Sequence, residues 1–416
     1  MASYRAQERR SGAKAIVGVV FYFLLVIAVL GTLSSTIFLG LVIAGYWKFR
    51  REANQAQQAL LRVKEFPAVS ILKPVHGMEA QLERNIESFF QQDYPSFEIL
   101  IAADTDDDSA LEVVRAVSAR YPNIPCRIVV IGNPPWPNPP AYAYHRMTEI
   151  ARHDILVTSD SDVEVAPNYL REVVAPLLDS QVGMVTCVYR GKNAAGFWSG
   201  LTAVGMSVEM TAGVLVANLM EGMKFGLGPT IAVSKRAVRS IGGYEVLGHY
   251  FANDYMIGNL IAKAGFRVVL SQHAIDHVVN QRTFRKMWEN QLRWAKSTRY
   301  SRPKGHLGSG LIYAIPFGIL GLVSAVLLGL PLFGFTLLSV SILNRMLESW
   351  LIGWKVVGDP VAKKQVWLFP VRDLLGFVVW AASYTAARSV WRDSRYELQG
   401  DKIALREKEE TSVAAN

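Results

Sequence analysis

Three long apolar stretches constrain this chain more than any motif in it. They run from Ala15 to Trp47, from Leu311 to Trp354 and from Val366 to Val390. Each contains at least the roughly 20 residues that a helix needs to cross a bilayer. The chain has 416 residues, 51% of them hydrophobic, and gathers them into these blocks rather than spreading them evenly. The first block far exceeds the apolar core of about 7–15 residues in a cleaved signal peptide, and no small-x-small site ends it. It reads as an anchor. The expected organisation is an N-terminal anchor over residues 1–48, a globular domain over 66–301, a C-terminal membrane region over 308–392 and a polar tail over 393–416. The second block has room for two crossings. In the third, Arg372 and Asp373 argue for an interfacial or re-entrant path, because charge inside a bilayer is costly.

The net charge is +9, from 44 basic and 35 acidic side chains. Basic residues cluster beside the apolar blocks: Lys48, Arg50 and Arg51 after the first, and Arg282 to Lys304 before the second. Juxtamembrane Lys and Arg favour the cytoplasmic leaflet, so the central domain is placed in the cytoplasm and nucleic acid is not the expected partner. Two cysteines, Cys126 and Cys187, form no metal-ligand spacing and no disulfide framework.

The middle of the chain alternates strand and helix. AVSILKPV (68–75), FEILIAA (97–103), CRIVVI (126–131) and DILVTS (154–159) have the composition of buried strands. Helical stretches follow at 79–92, 107–120 and about 141–152, the last after the Pro-rich loop NPPWPNPP. This alternation predicts an α/β domain on a mostly parallel sheet covered on both faces. In open sheets of this kind ligands sit beyond the carboxyl ends of the strands. Three predicted strand ends carry polar residues: Lys73 with His76, Asp104 with Asp106 to Asp108, and Asp160 with Asp162.

Each candidate has a plain structural alternative. Asp106 to Asp108 fit helix capping, whereas Asp104 ends a strand and suits hydrogen bonds from a uracil ring or ribose hydroxyls. In Asp160-Ser161-Asp162 the carboxylates lie one residue apart, and side chains i and i+2 of an extended segment share a face. Such a pair needs a cation, a proton or solvent. Hard carboxylate oxygens suit Mg²⁺ or Mn²⁺ together with substrate phosphates. Asp254 opens an amphipathic helix and is either a cap or a general base. The basic-aromatic stretch 284–300 fits the membrane interface, and Arg293 could present its forked donors to a phosphate. His273 and His277, spaced i and i+4, have no H-E-x-x-H context and read as structural.

In this order KPVHGME, AADTDDDSA, DSDVEV, FANDYM and QLRW resemble the inverting glycosyltransferases of the ceramide glucosyltransferase type (families 2 and 21), including bacterial hopanoid-linked relatives. The resemblance covers residues 66–300 and extends to WRDSRYEL (391–398), which is similar to a basic-aromatic tail motif of that family. It implies a GT-A type nucleotide-sugar-binding domain flanked by N- and C-terminal transmembrane helices. By this resemblance Asp104 is a nucleotide contact, Asp160 and Asp162 bind a divalent Mg or Mn ion, and Asp254 is the catalytic base. Lys73, Asp160, Arg293 and Trp294 fall to donor binding, with Arg293 and Trp294 at the diphosphate and acceptor. Two positions depart from the family pattern. Asn290 stands where Gln or Arg opens the last motif, Gln291 coming one place late, and Asn138-Pro139-Pro140 replaces Asn-x-Lys.

The expected function is transfer of glucose or N-acetylglucosamine from a UDP-sugar to a hydroxyl of a membrane lipid, ceramide or hopanoid, with inversion. The expected location is a bacterial inner membrane, with several crossings and a cytoplasmic catalytic domain. A processive polysaccharide synthase and a non-catalytic membrane scaffold that kept the fold are the alternatives.

Overall fold

The structure is a computed structural model that describes residues 2–385, 388–391 and 394–408. Arg392 and Asp393 of WRDSRYEL and residues 409–416 of the expected polar tail lie outside the described residues. The central domain is built on eight strands: β1 (Val69–Pro74), β2 (Phe97–Ala103), β3 (Cys126–Val130), β4 (Ile155–Ser159), β5 (Val163–Glu164), β6 (Val182–Asn193), β7 (Thr230–Ser234) and β8 (Arg267–Val279). Their order across the sheet is β3-β2-β1-β4-β7-β6-β8-β5. The helices used below are α1 (Ala2–Leu60), α2 (Leu82–Phe90), α3 (Ser109–Arg120), α4 (Pro139–Ile150), α5 (Tyr169–Val174), α6 (Phe197–Glu221), α7 (Asn253–Lys263), α8 (Phe284–Ser301), α9 (Ile315–Leu327), α10 (Pro331–Glu348) and α11 (Leu368–Ala382).

The first four strands follow the sequence pattern closely. Their residues are mostly apolar without strict alternation, and β1, β2 and β4 are buried almost throughout, as strands covered on both faces must be. The helices between them start on identifiable caps. Asp108 accepts a hydrogen bond from the Ala110 amide at the start of α3. Asn138 accepts from the Ala141 amide, with Pro139 and Pro140 in the first turn of α4, where a missing N–H costs nothing.

The expected mostly parallel sheet is a mixed one. β3-β2, β2-β1, β1-β4 and β6-β8 pair parallel, while β4-β7, β7-β6 and β8-β5 pair antiparallel. The change of direction comes at β7. Ser159 at the end of β4 pairs with Thr230 at the start of β7. The chain entering β7 therefore meets the carboxyl ends of β1 to β4 at one rim. The late part of β6 and the end of β8 reach the same rim.

The N-terminal block forms one continuous helix. Its span Ile16–Leu60 is long and apolar enough to cross a membrane. Ile16, Val19, Phe23, Val26, Leu30 and Leu33 are exposed along it. Other residues of α1 face protein: a Cβ on Gly31 would enter the Phe317 ring of α9, and one on Gly45 would touch Leu215 of α6. The Lys48 ammonium donates to the Asn218 carbonyl of α6. By composition α6 also passes as a span, although 72% of its window is buried against the rest of the protein.

No clear span follows the central domain among the described residues, which corrects the expected C-terminal crossings. α9 has 13 residues, about 20 Å of helix against a hydrocarbon core of about 30 Å. α10 runs on as a π-helix to Val356 and carries Asn344, Arg345 and Glu348 on its buried side. α11 has 15 residues. Arg372 and Asp373, expected at an interface, are buried. Arg345 pairs with Glu348 at 2.8 Å and with Asp373 at 3.5 Å, and Arg372 pairs with Glu209 of α6 at 2.9 Å. Polar residues interrupt the apolar pattern because these helices pair charges with one another. Ser394–Gln399 and Lys402–Lys408 of the expected polar tail form a three-stranded antiparallel sheet with Arg388–Trp391 from the end of the expected membrane region.

Gly191 of β6 lets α6 approach the sheet closely. A Cβ there would lie 2.3 Å from the Ala203 Cα, and the Gly191 amide donates to the Ser207 hydroxyl at 3.0 Å. Gly191→Ala is expected to destabilise the protein by about 1–3 kcal/mol through overpacking. A thermal melt in detergent checks this; an unchanged transition would mean that α6 can slide.

Candidate functional site

The rim of the sheet gathers most of the charged groups singled out in the sequence. Asp160 and Asp162 leave the end of β4, and the Asp160 amide donates to the Pro229 carbonyl at 3.1 Å. Beneath them Lys73 is fully buried at the end of β1. Its ammonium donates to the Asp160 backbone carbonyl and sits 4.1 Å from the centre of the Phe89 ring of α2. From the far side β8 brings in His277, whose Nε2 is 2.9 Å from Asp162 Oδ2. β5 and β8 hold this pair in register, since Val163 pairs with His277 and the Val278 amide donates to the Asp162 carbonyl at 2.8 Å.

These groups are ringed by protein atoms yet open to solvent on one side, so water screens part of their interaction: the Asp162 side chain keeps 35% of its surface accessible. Burial and the neighbouring Asp162 charge push the Asp160 carboxyl up to about 7, against the pull of His277 and Lys73. Burial acts on Asp162 as well, but His277 and Lys73 outweigh it and hold that carboxyl below its usual range. Burial lowers the Lys73 ammonium to about 7, although Asp162, Asp160 and Glu79 favour its charged form. His277 is raised, because its loss of solvent is outweighed by Asp162. The two carboxylates divide the labour: one stays ionised against histidine, and the other sits near its midpoint at neutral pH.

Asp254 joins the rim from the first turn of α7. Ala252 at the cap position offers no side-chain bond, and the Asp254 carboxylate itself takes the amides of Tyr255 and Gly228. The loop before β7 wraps it closely. The Gly226 amide donates to the Asp254 carbonyl at 3.1 Å, and a Cβ on Gly228 would lie 3.0 Å from Asp254 Oδ2. Burial raises the Asp254 carboxyl; the amides of Tyr255 and Gly228 and the Arg293 charge pull the other way. Burial raises the hydroxyls of Tyr144 and Tyr189, and the charges of Asp160 and Asp254 both push them further the same way. The Tyr144 hydroxyl stands 3.4 Å from Asp160 Oδ1.

α8 carries Arg293 and Trp294. The Arg293 guanidinium lies 5.7 Å from the centre of the Trp294 ring, which packs on the main core. The helix starts on Thr283, whose hydroxyl accepts from the Lys286 amide at 3.3 Å. Gln291 faces the opposite way. It accepts from Arg372 at 2.8 Å and reaches Thr202 of α6 at 3.5 Å. One step along a helix turns a side chain by about 100°, so a glutamine one place late faces α6 and α11.

Asp104 stands apart from the central group. It follows β2, two strands from β4, with Oδ2 3.7 Å from the His76 ring. Asp108 is occupied as a cap and also accepts from the Gly77 amide at 2.9 Å. Asn138-Pro139-Pro140 starts α4 and ties it to the loop before α7, through Asn138 Nδ2 to the Tyr250 carbonyl at 2.9 Å. His277 is the residue that sequence reasoning missed. The only signal is its place at the end of a strand, and that strand is long and interrupted by polar residues. His273, four residues earlier on the same strand, pairs with Glu172 of α5 at 3.2 Å and belongs to the scaffold.

Among the described residues no three His, Cys, Asp or Glu side chains converge as a preformed metal cluster. The donor set nonetheless fits a divalent cation that brings further ligands with it. Asp162 Oδ1 is buried without a hydrogen-bond partner. Hard cations commonly take one or two carboxylates and complete the shell with phosphate and water.

The comparison with known proteins follows the geometry. The profile of glycosyl transferase family 21 matches residues 25–404. Ceramide glucosyltransferase 1 of Caenorhabditis elegans is 26% identical over 342 residues, 80% of this chain and 72% of that protein. Ceramide glucosyltransferase 3 of the same organism is 24% identical over 395 residues, 92% of this chain and 81% of that protein. The structure of a mannosyltransferase from Pyrobaculum calidifontis in complex with GDP-Man and Mn²⁺ aligns at 16% identity and a TM-score of 0.48, covering 84% of this chain and 98% of that one. The profile spans α1 from residue 25 on, the sheet with its charged rim and the α8 helix alike, and the chain belongs to glycosyl transferase family 21.

Proposed function

We propose that this glycosyltransferase moves a hexose, glucose or N-acetylglucosamine, from a UDP-sugar to a hydroxyl of a membrane lipid of the ceramide or hopanoid type. The observation that carries the reading is the meeting of Asp254, Arg293 and the Asp160–Asp162 pair at one rim, each within the electrostatic reach of the next. The domain has the GT-A character that the sequence resemblance implies. Asp254 takes the proton of the acceptor hydroxyl, and burial, which raises its pKa, makes it a stronger base than an exposed aspartate. The acceptor oxygen attacks the anomeric carbon, the bond to the diphosphate breaks, and the configuration inverts. Arg293 offers its forked donors to the departing diphosphate, with Trp294 holding the guanidinium from below. Asp160 and Asp162 are the ligands for Mg²⁺ or Mn²⁺, which when bound offsets the charge that builds on the diphosphate. Lys73 supports the Asp160 backbone from beneath, and Asp104 meets the nucleoside.

The lipid acceptor explains the architecture around the rim. α1 crosses the membrane and its neighbours α9 to α11 sit in or against the bilayer, with Leu332, Phe335 and Leu343 turned outward. The catalytic domain lies on the cytoplasmic side, at a bacterial inner membrane. The 26% identical ceramide glucosyltransferase supports a lipid acceptor over a growing polysaccharide.

Incubation of the purified protein with UDP-glucose or UDP-N-acetylglucosamine, a divalent cation and a total lipid extract is expected to release UDP and give a glycolipid of inverted configuration. Anomer-resolved NMR checks the stereochemistry, and a retained anomer overturns the single displacement. Asp254→Asn is expected to lower turnover by about 10²–10⁴-fold while leaving UDP-sugar binding in place; full turnover removes the base assignment. The cation requires ionised carboxylates, and Asp160 and Lys73 both lose protons near pH 7. Each loss adds negative charge or removes positive charge at the rim. Mn²⁺ affinity in the presence of UDP should therefore rise between about pH 6 and about pH 8. Calorimetric titration checks the direction, and a flat or falling trend sinks the assignment.

A further inference from the structure

The sheet formed by the C-terminal segment docks onto the loop that delivers Asp254. That loop, residues 248–253, has its backbone paired on two sides. Facing α4, the Gly248 carbonyl accepts from the Asn138 amide at 3.0 Å and the Tyr250 carbonyl accepts from Asn138 Nδ2 at 2.9 Å. Facing the other way, the His249 carbonyl accepts from the Ile403 amide at 2.9 Å, and the Phe251 amide donates to the Asp401 carbonyl at 3.1 Å. The loop leaves a helical turn, in which the Tyr250 amide donates to the Leu247 carbonyl at 3.1 Å, and its next residues bond alternately to the two sides. Tyr250 forms an antiparallel bridge with Lys402. The C-terminal hairpin thus supplies the backbone partners for His249 and Phe251 on one side of the loop.

Side chains lock the same contact. Phe251, Tyr396 and Ile403 form a small buried cluster of their own, separate from the main core, with Tyr300 of α8 packed against it. Tyr300 lies seven residues after Arg293, close to two turns, and so projects along the same side of α8. Phe251 lies three residues before Asp254. The cluster therefore touches both elements that carry the transfer chemistry, the α7 loop with Asp254 and the α8 helix with Arg293.

We infer that the Tyr396–Ile403 hairpin is a clasp that positions Asp254 relative to Arg293, with Tyr396 and Ile403 as positioning residues for the transfer step. The inference rests on the roles given above to Asp254 and Arg293. Loop backbone that loses one paired edge opens locally at low cost. A displacement of about 1 Å at a reacting group is enough to lower the rate about 10²-fold. The clasp is tied to the Asp254 loop by backbone hydrogen bonds and to α8 only through the packing of Tyr300, so its loss is expected to act on turnover more than on donor affinity.

The test compares variants of the full-length protein in detergent. UDP binding is read by calorimetric titration, and turnover by UDP release from UDP-glucose with a total lipid extract. Tyr396→Ala is expected to lower kcat by about 10–100-fold with UDP affinity within about twofold of the unaltered protein. Tyr396→Phe, which keeps the ring in the cluster, should restore turnover. A protein that merely loses stability would lose UDP binding together with turnover, and that result overturns the clasp. So does unchanged kcat in Tyr396→Ala. Where Tyr396→Ala does not fold, Ile403→Val trims one methylene from the same cluster and must show the same split in smaller measure. Asp254→Asn runs alongside. Full turnover there removes the base assignment itself, whereas an inactive Asp254→Asn beside a fully active Tyr396→Ala removes only the clasp.

Discussion

Asp160 and Asp162 sit one residue apart at the end of a strand, and their mutual repulsion has to be answered by whatever packs around them. The answer comes from opposite directions. Lys73 rises from the neighbouring parallel strand, fully buried and unable to leave. His277 arrives from β8, beyond two antiparallel pairings, and engages Asp162. With one carboxylate matched to a histidine, the other is left near its own midpoint. A site that holds a proton loosely at neutral pH can exchange it for a cation. The rest of the rim is arranged about that pair: the loop before β7 closes over it from above, and Asp254 enters alongside.

A second constraint is the joint between the apolar helices and the sheet. α6 lies between them. It packs on β6 through Gly191 and Ala203, and it meets the anchor through Leu215 and Asn218. Its π-turn at Met206–Met210 includes Glu209, which faces Arg372. Arg372 in turn holds Gln291 on the helix that carries Arg293. Buried ion pairs are poor sources of net stability, because desolvation offsets the attraction, but removing one partner is costly. Their value here is in register. Helices that are apolar on most sides could slide past one another, and a charge pair that must stay matched prevents it.

The first half of the central domain was legible in the sequence. FEILIAA forms its strand to the residue, and Asp108 caps α3 as expected of the Asp106 to Asp108 run, whereas α4 starts at Pro139, before the expected start at about 141, on the unforeseen cap Asn138. Strands buried on both faces leave a continuous apolar signal, and a cap leaves a polar one. The second half was harder. β6 and β8 run into polar residues at the rim, so Tyr189 to Asn193 and Ile275 to Val279 carry both core and site chemistry. His277 had no neighbour in sequence to explain it, since its partner lies 115 residues away. Arg372 and Asp373 of α11 pointed to an interface when read singly. Only their pairing with Glu209 and Arg345 makes burial affordable.

The sequence by itself determined that an α/β domain would place acidic residues at the ends of its early strands, and that a long apolar helix would precede it. Periodicity, caps and apolar runs are local properties, written in neighbouring residues. Tertiary structure alone decided that β7 would run antiparallel, that His277 would answer Asp162, and that the C-terminal segment would fold back onto the loop before Asp254. Those outcomes depend on strand pairing and charge matching between segments far apart in the chain. Such contacts are set by which surfaces remain unsatisfied after the local elements have formed, and no short window of sequence contains both partners.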